Sequence, residues 1–118
     1  MKDEVISIEK LVTLRKKKSQ WLNTHILDLG DIFSLTVRAV NVLKPNGVYK
    51  LEDLLVYHKR ELLNGKPVNV NALTTKYEKR IAEEVNSKRE RNVKVGQKSM
   101  EEIEAMLKKL NMSLREKL

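Results

Sequence analysis

Leu35-Thr36-Val37-Arg38-Ala39-Val40-Asn41-Val42-Leu43-Lys44 is the stretch whose reading decides the fold. Leu35, Ala39, Val42 and Leu43 recur at helical spacing, which predicts a helix with those four on its buried face. Arg38 and Asn41, three apart, then share the opposite face and can point at a single ligand. The partner stretch is distant in sequence: Val95-Gly96-Gln97-Lys98-Ser99-Met100-Glu101-Glu102-Ile103. There Gly96 ends a short segment and Ser99 opens an apolar-periodic helix carrying Ile103, Met106, Leu107 and Leu110. The amides of Gly96 to Ser99 are expected at a helix N-terminus, where orphan N–H groups and the positive end of the dipole attract anions. Together the two stretches read as a surface that grips phosphate.

Outward from the first stretch, Gly30-Asp31 reads as a break, with Asp31 or Ser34 as cap for the helix that follows. Before it, Glu4 to Leu29 reads as helical, with Ile8, Leu11, Val12, Trp21, Leu22, His25, Ile26 and Leu29 as an apolar stripe. The run Arg15-Lys16-Lys17-Lys18 interrupts that stripe, so the segment reads as two helices or as one helix with a solvated middle turn. Trp21 and His25, four apart, are expected on one face, with packing as the role of Trp21. A metal at His25 is not expected, because only Asp28 is near it in sequence. After the helix, Pro45-Asn46-Gly47 is a turn composition. Leu51 to Leu55 and Lys59 to Leu63 read as short helices whose leucines are core, with Tyr49, Tyr57 and His58 at the core edge.

The chain has 118 residues, a formal net charge of +8 and no cysteine. That length suits one compact domain. The charge favours polyanionic partners. Without cysteine there is no disulfide, thiolate nucleophile or cysteine zinc site, which favours a reducing compartment. The N-terminal residues mix acids with Val5, Ile6 and Ile8, so no signal peptide or membrane span is expected, and the location expected is cytoplasmic.

Residues Leu35 to Leu43, Tyr49-Lys50-Leu51-Glu52-Asp53-Leu54-Leu55, Arg60-Glu61-Leu62-Leu63, Val95 to Ile103 and Met112-Ser113-Leu114 resemble the C-terminal domain of the bacterial RNA polymerase alpha subunit, in order and mostly in spacing. The resemblance covers about residues 31 to 63 and 92 to 118. It implies an all-α fold: a compact bundle of five to seven short helices containing a helix-hairpin-helix. Residues 1–30 would be an N-terminal helical extension, and 31–118 the domain proper, interrupted by an insertion at 64–91. The family's flexible linker and assembly domain find no room in this chain, which reads as a free-standing homologue.

What the resemblance implies for function is a non-enzymatic DNA-binding module of transcription that grips the minor groove and backbone of A·T-rich upstream promoter DNA. Arg38, Asn41, Gly96, Gln97, Lys98, Ser99 and Glu102 inherit the binding roles, with RNA polymerase subunits or transcription activators as further partners. Gln97 stands where the family usually has a second lysine. Glu102 is expected to orient Arg38 or Lys98. Only Asp31 keeps the acidic character that meets the sigma factor in the family, so that contact does not carry over. The alternative is a protein-protein interaction module on the same fold, with little DNA binding.

The insertion is too long for a structureless loop, so a helix is expected from about Ala72 to Lys88, capped by Asn71, with Leu73, Tyr77, Ile81, Glu84 and Val85 on one face. Its basic end, Lys88-Arg89-Glu90-Arg91, runs into the hairpin, so Lys88, Arg89, Arg91 and Lys94 are candidates for extra phosphate contacts. Gly96-Gln97-Lys98-Ser99 is not a Walker motif, because the upstream glycine and the preceding strand are both missing. Glu101, Glu102 and Glu104 invite a magnesium reading, but no Asp or His motif converges with them, so neither catalysis, metal nor cofactor is expected.

Overall fold

Where helix is expected over Glu4 to Leu29, with any interruption at residues 15–18, the chain breaks instead at Asn23 to His25. The computed structural model describes residues 17–118; residues 1–16, with the first half of that expected helix, lie outside the described residues. Helix α1 (Lys18–Leu22) ends where the Thr24 hydroxyl donates to the Gln20 carbonyl at 2.8 Å. Helix α2 (Ile26–Phe33) then starts afresh, with His25 as cap: its Nδ1 accepts from the Leu27 amide at 3.1 Å. The backbone groups freed by the break pair with residues 49–51, Ile26 N–H to the Tyr49 carbonyl and Leu51 N–H to the Thr24 carbonyl. Trp21 and His25 therefore do not share a helical face. Trp21 is buried as its packing role requires, its ring 5.6 Å from that of Phe33. His25 instead lies edge-on to Tyr49.

Helix α2 also runs straight through Gly30-Asp31, where the sequence suggests a break. Gly30 serves a different need. A Cβ there would meet the Val40 Cγ2 at 2.8 Å, so the bare glycine lets the next helix approach α2. Ser34 closes α2 in the left-handed conformation, φ 56°. Gly30→Ala is expected to cost about 1–3 kcal/mol through overpacking. Adding Val40→Ala should recover part of that loss in urea melts, whereas simple additivity of the two changes would refute the contact.

Helix α3 (Val37–Leu43) is capped by Thr36, not by Asp31 or Ser34, which belong to the preceding helix and its end. The Thr36 hydroxyl accepts from the Ala39 amide at 3.2 Å. Starting later shifts the buried set to Ala39, Val40 and Leu43, leaving Leu35 and Val42 half-buried. A single 3-10 turn (Lys44–Asn46) then leads to Gly47 at φ +81°, where a Cβ would press to 2.2 Å from the Val85 carbonyl. Helices α4 (Leu51–Leu55) and α5 (Lys59–Asn64) follow. Asp53 accepts from the Tyr49 and Lys50 amides ahead of α4, and Glu61 accepts from the His58 amide ahead of α5.

The insertion does form a helix, but a later one than Asn71 would cap. Residues 70–72 make a 3-10 turn, and α6 (Lys76–Lys88) begins at Thr75, whose hydroxyl accepts from the Glu78 amide while Glu78 reaches back to Thr75. This reciprocal capping box satisfies two orphan donors at once, which an isolated asparagine cannot do. Leu73, Ile81, Ala82 and Val85 are buried, whereas Tyr77, expected beside them, is 52 % exposed and donates to Glu52. Helix α6 packs against α4 and both 3-10 turns, so the insertion is part of the core. The last helix, α7 (Gln97–Lys109), packs against α3 and α5 and buries Met100, Ile103, Met106 and Leu107.

The result is an all-α bundle of seven α-helices among the described residues, which contain no strand. Of the expected core, Ala39, Leu54, Leu62, Ile103 and Leu107 are fully buried. Leu35, Val42 and Leu110 pack against its edge. Tyr57, expected at the edge, is completely buried. Burial pushes its phenol above the usual tyrosine range, opposed by the neighbouring Arg89 guanidinium.

Candidate nucleic-acid interface

Helix α3 is fastened at both ends to the segment that begins α7. At its start, the Thr36 amide and hydroxyl donate to the two carboxylate oxygens of Glu102, at 2.8 and 3.0 Å. Past its end, the Asn46 side-chain amide donates to the Val42 carbonyl at 2.8 Å and to the Val93 carbonyl at 3.1 Å. Residues 36–46 therefore lie alongside residues 93–102, although more than forty positions separate them in sequence.

Between those fastenings, Arg38 and Asn41 are both exposed, one turn apart, with no side-chain partner among the described residues. Val37 beside them is 74 % exposed. On the facing segment Gly96, Gln97 and Lys98 are exposed. Gly96 is the N-cap, so no side chain accepts from the first-turn amides of α7, and the first turn carries no acid. Those amides, the dipole of a thirteen-residue helix and the Lys98 ammonium make one electropositive edge.

Two of the expected site residues sit otherwise than their roles require. Ser99 is only 3 % exposed and belongs to the packed face of α7 with Met100 and Ile103. Glu102 does not orient Arg38 or Lys98, because Thr36 takes both of its oxygens. A carboxylate at the N-terminus of α3 satisfies an orphan amide and meets the positive end of that helix, a better position than a surface ion pair.

The four candidate extra contacts divide in the same way. Arg91 and Lys94 are exposed without partners among the described residues. The Lys88 ammonium stands over the Tyr49 ring, 5.5 Å from its centre. Arg89 is committed to the interior. Its Nη1 donates to the Asn46 Oδ1 at 3.0 Å, the Tyr57 hydroxyl at 2.9 Å and the Lys66 carbonyl at 3.1 Å. Its Nη2 donates to the Gly65 carbonyl and the Asn92 Oδ1, at 3.0 and 3.1 Å. Tyr57 in turn donates to the Asn46 carbonyl, and Val95 N–H to the Leu62 carbonyl. This network fixes the loop at 89–96 and with it the position at which α7 begins.

No family model, curated protein or solved structure matches the chain. Among the described residues no helix is long and apolar enough to cross a membrane. Nor is any group of three or more His, Asp or Glu among them placed to hold a metal ion. Glu104, one of the three clustered glutamates, pairs with Lys59 at 3.1 Å.

Sequence reasoning missed the Thr36–Glu102 clasp. A capping threonine two residues before Arg38 was the available signal; its carboxylate partner, 66 positions away, had none.

Proposed function

We propose that the protein is a non-enzymatic DNA-binding module of transcription that grips the minor groove and its phosphates, as the RNA polymerase alpha C-terminal domains it resembles do. What supports this reading is the double fastening of α3 to residues 93–102, with Arg38 and Asn41 exposed and unpartnered on the one element and Gly96, Gln97 and Lys98 exposed on the other. Unpaired cations next to free helix amides suit phosphate. An arginine flanked by such contacts suits a narrow A·T-rich groove, where negative potential is concentrated and base edges carry little sequence information. Arg91 and Lys94, exposed on the segment that leads into α7, are further candidates for phosphate contact, whereas Arg89 and the Ser99 hydroxyl are left out.

Fluorescence anisotropy on an A-tract duplex tests the reading. With Arg38, Lys98, Arg91 and Lys94 meeting about four phosphates, the log-log salt slope should be roughly −3.6, and affinity should fall about 150-fold from 50 to 200 mM salt. Arg38→Ala should weaken binding at least about tenfold. Lys109→Ala, at the far end of α7, should leave it nearly unchanged. Equal binding by Arg38→Ala, or affinity insensitive to salt, refutes the assignment. Degradation of plasmid DNA with magnesium, in place of simple retardation, would refute its non-enzymatic part.

A further inference from the structure

Among the described residues, Leu27, Val37, Tyr77 and Leu118 are the large apolar side chains left exposed. Val37 adjoins Arg38 and Leu118 is the last residue, which leaves Leu27 on α2 and Tyr77 on α6, both outside the DNA-binding reading. Their two faces carry opposite charge. On α2, Leu27, Asp28 and Asp31 fall within an arc of about 100° of the helix surface. All three are exposed, and neither carboxylate has a hydrogen-bond or ion-pair partner among the described residues. On α6, Lys76, Lys79 and Arg80 border a depression of about 480 Å³ beside Tyr77, with Glu83 its one acid. None of those three cations has an ion-pair partner among the described residues either. On the other side of Tyr77 a groove of about 460 Å³ runs between α1, α4 and α6 over Leu22, Leu55, Val56 and Ile81. The acids on its rim are already engaged, Glu52 by the Tyr77 hydroxyl and Glu78 by Thr75.

The geometry points to a contact between copies of the chain: α2 of one docks on α6 of another, with Leu27 entering the apolar groove and Asp28 and Asp31 meeting Lys76, Lys79 and Arg80. Both halves of the contact are on this chain, so a second copy is the occupant that the page supplies. The match cannot close within one copy, because α2 is held against α3 by the close approach of Gly30 and Val40. Lengths agree as well: the eight residues of α2 and the eight from Lys76 to Glu83 each span about 12 Å. The chain as a whole carries +8. At physiological salt, however, the screening length of about 8 Å makes the signs of the groups in contact decisive. Two such short faces belong with small, transient interfaces, so a dissociation constant on the order of 0.1–1 mM is expected.

Amide spectra of the ¹⁵N-enriched full chain, recorded without DNA, test this independently of the DNA-binding reading. Between about 0.05 and 1 mM protein, signals of Leu27 to Asp31 and of Tyr77 to Arg80 should shift together, while those of Asn41 and Lys98 stay fixed. No dependence on concentration, the result if the groove is covered within one copy, overturns the proposal. Shifts confined to one of the two faces, or spread over α3 and α7, overturn it too. Two charge-reversed variants then fix the register: Asp28→Lys with Asp31→Lys, and Lys76→Glu with Lys79→Glu and Arg80→Glu, all at exposed positions. Each alone should lose at least about tenfold in self-affinity, because like charges are brought face to face. Mixed in equal amounts, or combined in one chain, they should associate again to within a few-fold of the parent, a recovery that misfolding cannot produce. Association like the parent's in either variant alone, or a mixture as monomeric as its components, rules the contact out.

Discussion

Arg89→Ala is expected to destabilise the protein by about 3–4 kcal/mol, because it strands acceptors from several segments that fold around one guanidinium. For a chain of this length that corresponds to a fall in melting temperature of about 12–16 °C. The five acceptors of Arg89 come from the turn after α3, the end of α4, the end of α5 and the loop before α7. Water cannot replace all of them, since Asn46 and Tyr57 are both fully buried. Arg89→Lys should recover less than half of the loss, because an ammonium lacks the planar fork that addresses acceptors on two sides. Thermal and urea melts decide the matter; a loss below about 1 kcal/mol for Arg89→Ala would mean that the network contributes little net stability.

A comparable loss, about 3–5 kcal/mol, is expected from Arg115→Ala, for a different reason: it leaves a buried carboxylate without its counter-charge. The Arg115 Nη2 and Glu61 Oε2 lie 2.8 Å apart, with both side chains under 8 % exposed. Glu61 also accepts from the His58 and Asn69 amides, and Arg115 donates to the Val56 carbonyl. The pair therefore clamps the C-terminal tail, including buried Leu114, against the start of α5. Arg115→Ala combined with Glu61→Gln should be less damaging than Arg115→Ala alone, since the orphaned charge is then gone. If the double variant in a urea melt equals the sum of the singles, the two residues do not act as a pair.

How much of this was legible from sequence varied with the range of the interaction. The helical phase of α3 and α7 could be read from apolar spacing, because one face of each meets the core and periodicity reports burial directly. Leu54, Leu62, Ile103 and Leu107 are core for that reason. Gly30 misled because a glycine that breaks a helix and one that lets two helices touch look alike until Val40 is placed against it. At the insertion, Thr75 with Glu78 offered the stronger capping signal, and Asn71 was the weaker choice.

The candidate site was partly legible. Arg38, Asn41, Gly96 and Lys98 are each exposed, on two stretches whose elements are fastened by Thr36–Glu102 and Asn46–Val93. Arg89 was misread because an arginine inside Lys88-Arg89-Glu90-Arg91 looks solvated, and its acceptors lie up to 43 positions away. Ser99 was misread because a hydroxyl at a helix start suits capping or ligand contact, whereas here the apolar face of α7 begins at that residue.

The clasp between Thr36 and Glu102 makes the α3–α7 surface a property of the tertiary fold alone. Neither stretch holds the arrangement by itself, so the surface is lost whenever the two helices part. Local opening of this contact would therefore remove the surface, and the apparent dissociation constant of a ligand that needs both stretches would rise in proportion as the closed fraction falls. Because both ends of α3 are already tied, a ligand meeting the closed surface orders little further backbone, and its association carries only a small penalty in chain entropy.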